Sequence, residues 1–144
     1  MDKNTFLRKV GARVGCDARR AEGLTFAVFQ ELRDRLTPSE AADVDAQLPR
    51  ALKPLWEFLD RPGRRVRKLH EPEFLGEVRL IASLPDEVEA ERAVVAVFAT
   101  LQELLGSPSG TEGEAWDVMS QLPKDLKKLW LRAHQESGLL SAAG

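Results

Sequence analysis

The apolar residues of this chain recur with a helical period. One run places four of them four residues apart: Leu24, Val28, Leu32 and Leu36. Phe29 widens this stripe, and the intervening residues are rich in Arg, Glu, Gln and Ala, which favour helix. No stretch sustains the period of two that a half-buried strand requires. The pattern therefore predicts an all-α protein.

The second half of the chain repeats the pattern of the first. At offsets of 68, 69 and then 74 residues, matching positions carry the same residue: Phe6 and Phe74, Asp17 and Asp86, Phe29 and Phe98, Leu48 and Leu122, Trp56 and Trp130. The residues that change the offset fall where loops are expected, and the longer insertion, "GSPSG" at 106–110, consists of turn-forming residues. We predict an internal duplication.

Each half is predicted to hold a short helix, a long helix and a broken helix. The short helices cover about residues 4–15 and 72–83, and the long ones about 18–36 and 86–105. We divide the chain into repeat one (1–60), a basic linker (61–71), repeat two (72–136) and a frayed C-terminal tail (137–144). Because neither half alone is large enough for a secure core, we expect two pseudo-symmetric helical repeats packed into one compact bundle-like domain.

The phrase "QLP…L..LW" predicts a helix corner in each half. A residue before proline is pushed out of the α region, so Leu48 and Leu122 should each end a helical segment. In the first copy, Pro54 should kink or delay the next helix, because it cannot donate to the carbonyl of Arg50. The residues that follow share one face and are the predicted structural anchors: Leu52, Leu55, Trp56, Leu126, Leu129 and Trp130. A ligand platform built from the two tryptophans is the alternative.

The overall composition is that of a soluble globular protein. Apolar residues make up 43% and charged residues 31%, and the net charge of −2 gives no general attraction to nucleic acid. No apolar run approaches the roughly 20 residues of a membrane span, and the first residues do not resemble a secretory signal. The only cysteine, Cys16, excludes an intrachain disulfide. We therefore expect a cytoplasmic protein.

Catalytic, cofactor-binding and metal sites are not predicted. His70 and His134 lie far apart without partners at ligand spacing, and Cys16 has no local base. Acidic residues such as Asp17 and Asp86 are placed to cap helix N-termini, and nothing indicates a desolvated pair of carboxylates. An enzyme with a pocket between the halves is thus the weakest of three hypotheses.

The linker carries the strongest charge bias. Five cationic residues lie there with no acid between Asp60 and Glu71: Arg61, Arg64, Arg65, Arg67 and Lys68. Such a cluster can neutralise phosphates, which makes polyanion or nucleic-acid contact at low salt the second hypothesis. It lacks interleaved aromatic residues for base stacking, so a solvated linker, or one paired with acidic helix faces, is the simpler interpretation.

Four phrases, "FLRKVGARVG", "AVFQELRDRL", "LTPSEAADVDAQLP" and "LKPLW", and their second-half partners resemble a bacterial helical family known as domain of unknown function 2267. The likeness covers about residues 5–133, and Pro54 and the "GSPSG" insertion depart from exact symmetry of the two halves. It implies an all-helical fold and supplies no activity or cofactor. The leading hypothesis is therefore a non-enzymatic interaction or adaptor module with an unknown protein partner. Self-association of the duplicated halves stays open.

Overall fold

The computed structural model describes residues 2–48, 50–58, 71–105 and 124–143. Seven α-helices lie in these ranges, and the described residues contain no strand: α1 (Lys3–Val14), α2 (Ala18–Arg33), α3 (Pro38–Gln47), α4 (Lys53–Phe58), α5 (Glu71–Ile81), α6 (Glu87–Leu105) and α7 (Lys124–Ala143). The all-α prediction is confirmed. None of the helices described is long and apolar enough to cross a membrane.

The helices pack crosswise around a shared core. The short helix α1 contacts α2 of its own half and α6 of the other half, while α5 contacts α6 and α2 in the same manner. The long helices α2 and α6 also contact each other, so the apolar faces of both halves meet in one buried cluster. The described helices therefore form one compact core, as expected for halves too small to fold alone.

Local capping decides where several helices begin. The side chains of Asp17 and Asp86 accept hydrogen bonds from backbone N–H groups three residues on, at 2.8 and 2.9 Å. Thr37 and Glu40 form a reciprocal capping box at the start of α3. Both predicted acidic caps are confirmed, because a side-chain oxygen satisfies an N–H group that the helix leaves unpaired, and Thr37 caps α3 in the same way.

Two predicted boundaries need correction. The helix α2 ends at Arg33 instead of Leu36, because Thr37 before Pro38 is extended and the chain tightens into i to i+3 hydrogen bonds ahead of it. At the other terminus, α7 extends to Ala143, into the segment 137–144 that we expected to fray. Leucine and alanine in that segment favour continuation of the helix.

The corner after α3 follows the proline rules. Leu48 has extended backbone angles and ends α3, as predicted; Pro49 and the corner at Leu122 lie outside the described residues. The next helix starts only at Lys53, and its first backbone bond runs from Trp56 N–H to the Leu52 carbonyl. Pro54 thus delays the start of this helix to Lys53, whereas α7 is already helical at Lys124, the position that corresponds to Arg50.

Each half places its tryptophan against a phenylalanine of its long helix. The ring centroids of Phe29 and Trp56 are 5.5 Å apart, and those of Phe98 and Trp130 are 5.1 Å apart. The predicted duplication pairs these residues, so their similar contacts fit it. The duplication itself stays a prediction.

Two glycines provide a matched test of close packing. A Cβ on Gly11 would lie 2.5 Å from the backbone oxygen of Cys16, whereas one on Gly23 meets nothing within 4 Å. We expect Gly11→Ala to lower the free energy of unfolding by about 1–3 kcal/mol, because backbone has to move. Gly23→Ala should raise it by about 0.5–1 kcal/mol, since alanine favours helix. Urea denaturation measures both, and equal effects would contradict this account.

Candidate functional site

A cleft of about 260 Å³ lies where α2, α3 and α4 meet. One side is formed by Pro38, Ala41 and Ala42 of α3. The charged side chains come from all three helices: Arg33, Asp45 and Glu57. This cleft lies within the first half of the chain, and not between the halves.

Trp56 holds the three helices of the cleft together. It is 1% exposed, and its indole N–H donates to the Ala41 carbonyl at 3.1 Å, which ties α4 to α3. Its own carbonyl accepts from Arg33 Nη1 at 3.0 Å, which ties α4 to α2. The Arg33 guanidinium also lies over the indole, 5.3 Å from the ring centroid. The tryptophan therefore fixes the backbone around the cleft and orients its arginine.

Two carboxylates meet in the cleft. Asp45 near the end of α3 and Glu57 of α4 both line the cleft, and the neighbouring Asp45 carboxyl, through hydrogen bonding and through its charge, raises the pKa of Glu57. Lys53 and Arg33 oppose the shift without cancelling it. The Lys53 ammonium group donates to the backbone carbonyl of Asp45 at 2.6 Å. Ionisation of Glu57 is therefore disfavoured next to Asp45, because like charges at short range repel each other.

An exposed aromatic residue lies at the end of α4, next to Glu57 in sequence. Phe58 directly follows Glu57 and is 77% exposed. Its ring centroid lies 6.4 Å from that of Phe26, a half-buried residue of α2.

A second polar cluster is buried away from solvent. Arg35 is fully buried, and its Nη1 donates to the Glu31 carbonyl at 2.6 Å and to Glu31 Oε1 at 3.2 Å. Its guanidinium lies 4.8 Å from the Phe74 ring centroid of α5. Burial raises the pKa of Glu31, Arg35 lowers it, and the charges of Asp34 and Glu77 raise it further. This ion pair joins α2 to α5 and is enclosed by the core.

The structure describes some of the predicted site residues and not others. The five linker cations, Arg61, Arg64, Arg65, Arg67 and Lys68, lie outside the described residues, as does His70. Five of the six structural anchors are buried and Leu55 is partly buried. His134 is half-buried on α7. Burial, followed by the Asp17 charge, raises the pKa of Cys16, which disfavours a reactive thiolate.

The proximity of Asp45 and Glu57 was not predicted, although Glu57 is exposed and the two do not form a desolvated pair. Asp45 and Glu57 are separated by a corner, so helical periodicity does not bring them together. A comparison of the two halves would have found them: at the offsets of the duplication, Arg33, Asp45 and Glu57 correspond to Gln102, Met119 and Leu131. The second half keeps a hydrogen bond from its long helix to the backbone of its tryptophan, since the Gln102 side-chain amide donates to the Trp130 carbonyl at 2.8 Å. At these three pairs of corresponding positions, charged residues occur only in the first half.

The cleft is better suited to binding than to acid–base catalysis. Glu57 is exposed, and water weakens its electrostatic interactions, whereas catalytic carboxyls with strongly shifted pKa values are usually desolvated. Among the described residues, no three His, Cys, Asp or Glu side chains are grouped to hold a metal ion. A cleft lined by two carboxylates and one guanidinium can form hydrogen bonds with a polar or charged group.

Fold and site together define an all-α protein with a small charged cleft in its first half. The family described as "Uncharacterized conserved protein (DUF2267)" matches residues 3–129, and the chain belongs to this family. The resemblance found in the sequence motifs is thus confirmed. No curated protein matches the chain.

Proposed function

We propose that this protein is a non-enzymatic interaction module that docks a partner protein at the cleft of α2, α3 and α4. The single observation that carries the proposal is the difference between the two halves. Both halves join a buried tryptophan to the long helix through its carbonyl, but only the first half adds Asp45 and Glu57 at the surface. We propose the cytoplasm as its location, on the grounds of its single cysteine.

The energetics of the cleft support this assignment. Two carboxylates placed close together repel each other, and apolar residues of the kind found at Met119 and Leu131 avoid that cost. Residues that lower stability without serving the fold are concentrated at functional sites. Exposed Phe58 adds the type of side chain that is enriched in protein interfaces.

Polyanion contact through Arg61, Arg64, Arg65, Arg67 and Lys68 is a second proposal. It rests on the sequence alone, since these five cations occur without an acid between residues 60 and 71. Counterion release would make such binding weaken steeply with salt.

Site-specific photo-crosslinking in the native cell tests the docking role. A benzophenone side chain at Ala42, an exposed residue of the cleft, should cross-link a partner protein, because that surface is buried on docking. The same group at Gly23, exposed on α2 and facing open space, should not. Combining the Ala42 probe with Asp45→Asn and Glu57→Gln should remove the product. Equal products from both positions, or none from either, would contradict the proposal.

A further inference from the structure

We propose that protonation of Glu31 regulates the packing of α5 on α2: α5 is held more firmly when the Glu31 carboxyl is protonated, and it separates more readily when Glu31 is ionised. This inference goes beyond docking at the cleft, because it concerns an interface between the two halves of the chain. It follows from the burial of Glu31, from the charges around it, and from the different chemistry of the corresponding interface between α1 and α6.

The Glu31 carboxyl is buried at the contact between α2 and α5. Glu31 is 1% exposed, and its Oε1 accepts a hydrogen bond from Arg35 Nη1 at 3.2 Å. The guanidinium of Arg35 lies 4.8 Å from the ring centroid of Phe74, a fully buried residue of α5. Since α5 covers this ion pair, separation of α5 would return water to the carboxyl group.

The groups that act on Glu31 divide between the two helices. Burial is the main cause that raises its pKa; the Arg35 charge lowers the pKa, and the charges of Asp34 and Glu77 raise it further. Among the described residues, Asp34 and Arg35 act from α2 and Glu77 acts from α5. Asp34 and Arg35 are close to Glu31 in sequence, so they stay beside it when α5 moves. The exclusion of water and the charge of Glu77 depend on α5.

The direction of the proton linkage follows from this division. The pKa of Glu31 is raised while α5 is packed on α2, and separation of α5 removes the causes that depend on α5. The conformation in which a group has its higher pKa is the one that binds protons more tightly. Packing of α5 is therefore favoured at low pH. This preference declines as the pH rises, and it is lost above the pKa of Glu31 in the packed protein.

The corresponding interface between α1 and α6 has the opposite chemistry. At the offset of the duplication, Thr100 takes the place of Glu31. Thr100 is buried without a charge, and its hydroxyl accepts from Arg13 Nη1 at 2.7 Å. Burial raises the pKa of Glu103 on α6, but hydrogen bonds from Lys9 and Arg13 of α1 outweigh this effect and lower it. Packing of α1 is therefore favoured when its acidic partner is ionised.

Hydrogen exchange of the full chain, followed by NMR from mildly acidic to neutral pH, tests the inference. After correction for the intrinsic pH dependence of exchange, the protection of α5 amides such as Val78 should fall as the pH rises. The fall should reach at most about tenfold per pH unit and level off above the pKa of Glu31, because one proton is linked to packing. The protection of α1 amides such as Val10 should stay level, because Glu103 is ionised throughout this range.

Two matched variants separate the interfaces. Glu31→Gln keeps the shape of the carboxyl group and removes its titration, so the protection of α5 should no longer depend on pH. Glu103→Gln removes the acid of the other interface. It should lower the protection of α1, because Lys9 and Arg13 lose their ionised partner, and leave the pH dependence of α5 in place.

Three results would overturn the inference: α5 protection that does not change with pH, a pH dependence that persists in Glu31→Gln, or an equal loss of protection in α5 and α1. The last result would report unfolding of the whole core. If Glu31→Gln does not fold, a carbon-13 titration of the Glu31 carboxyl in the unaltered protein decides. Its midpoint has to mark the pH above which the loss of α5 protection levels off, and a midpoint elsewhere contradicts the linkage.

Discussion

Trp130→Ala is expected to lower the free energy of unfolding by about 3–5 kcal/mol. Trp130 has no exposed surface and packs on Phe98, 5.1 Å between ring centroids. It lies on α7 beside the buried Leu126 and Leu129, and α7 has its main contacts with α6. Removing the indole leaves a cavity at the junction of these helices. Urea denaturation followed by circular dichroism measures the effect.

Lys128→Ala is the matched control for that variant. Lys128 is exposed on the same helix, two residues before the tryptophan, so its truncation should change the unfolding free energy by less than about 0.5 kcal/mol. A Trp130→Ala protein with unchanged melting would show that the indole is not an anchor. It would return Trp130 to the alternative of a ligand platform.

Arg35→Met is expected to lower the free energy of unfolding by about 3 kcal/mol at neutral pH. Methionine is apolar and fills much of the space of the arginine stem, so the main loss is the cation that faces Glu31. A buried carboxylate without that cation is costly. Chemical denaturation at several pH values measures both the size of the loss and its pH dependence.

The loss of folding stability in Arg35→Met should depend on pH, and the direction of that dependence follows from the pKa of Glu31. Burial already raises the pKa of Glu31, and the Arg35 charge opposes that rise. Removing Arg35 should raise the pKa further. A group whose pKa is higher in the folded protein than in the unfolded chain favours folding at low pH, and that stability is lost as the pH rises through the folded pKa. The defect of Arg35→Met should therefore be largest at neutral pH and diminish under acidic conditions.

The double variant Arg35→Met, Glu31→Leu separates charge from packing. It removes both charges, so it should recover most of the stability and show no pH-dependent defect. If the double variant is as unstable as Arg35→Met at every pH, the loss comes from packing against Phe74, which lies 4.8 Å from the guanidinium. The ion pair would then contribute little.

The positions of the helices follow from local rules, and for this reason they were predictable. The caps at Asp17, Thr37 and Asp86 depend on residues three positions apart, and the corner at Leu48 depends on the next residue. Where the expectation erred, at the end of α2, the capping box at Thr37 and the constraint of Pro38 prevailed over the apolar period that extends to Leu36. The capping box and the proline constraint both depend only on residues that are close in sequence.

The burial of the Arg35–Glu31 ion pair could not be predicted from these local rules. Arg35 lies between the apolar Leu32 and Leu36 in sequence and has the type of side chain that is usually exposed. It is fully buried because α5 places Phe74 over its guanidinium. Helical periodicity describes one helix at a time and does not specify which side of it another helix covers.

The sequence by itself determined an all-α protein of this family, with its helix starts, its proline corner and its tryptophan anchors, because these depend on neighbours along the chain or on one helical face. Only the tertiary structure decided that Asp45 and Glu57 share a cleft. Their approach depends on the angle between α3 and α4, which the hydrogen bond from Trp56 to Ala41 and the contact with Arg33 hold. Such an angle results from packing between helices, and no local pattern encodes it.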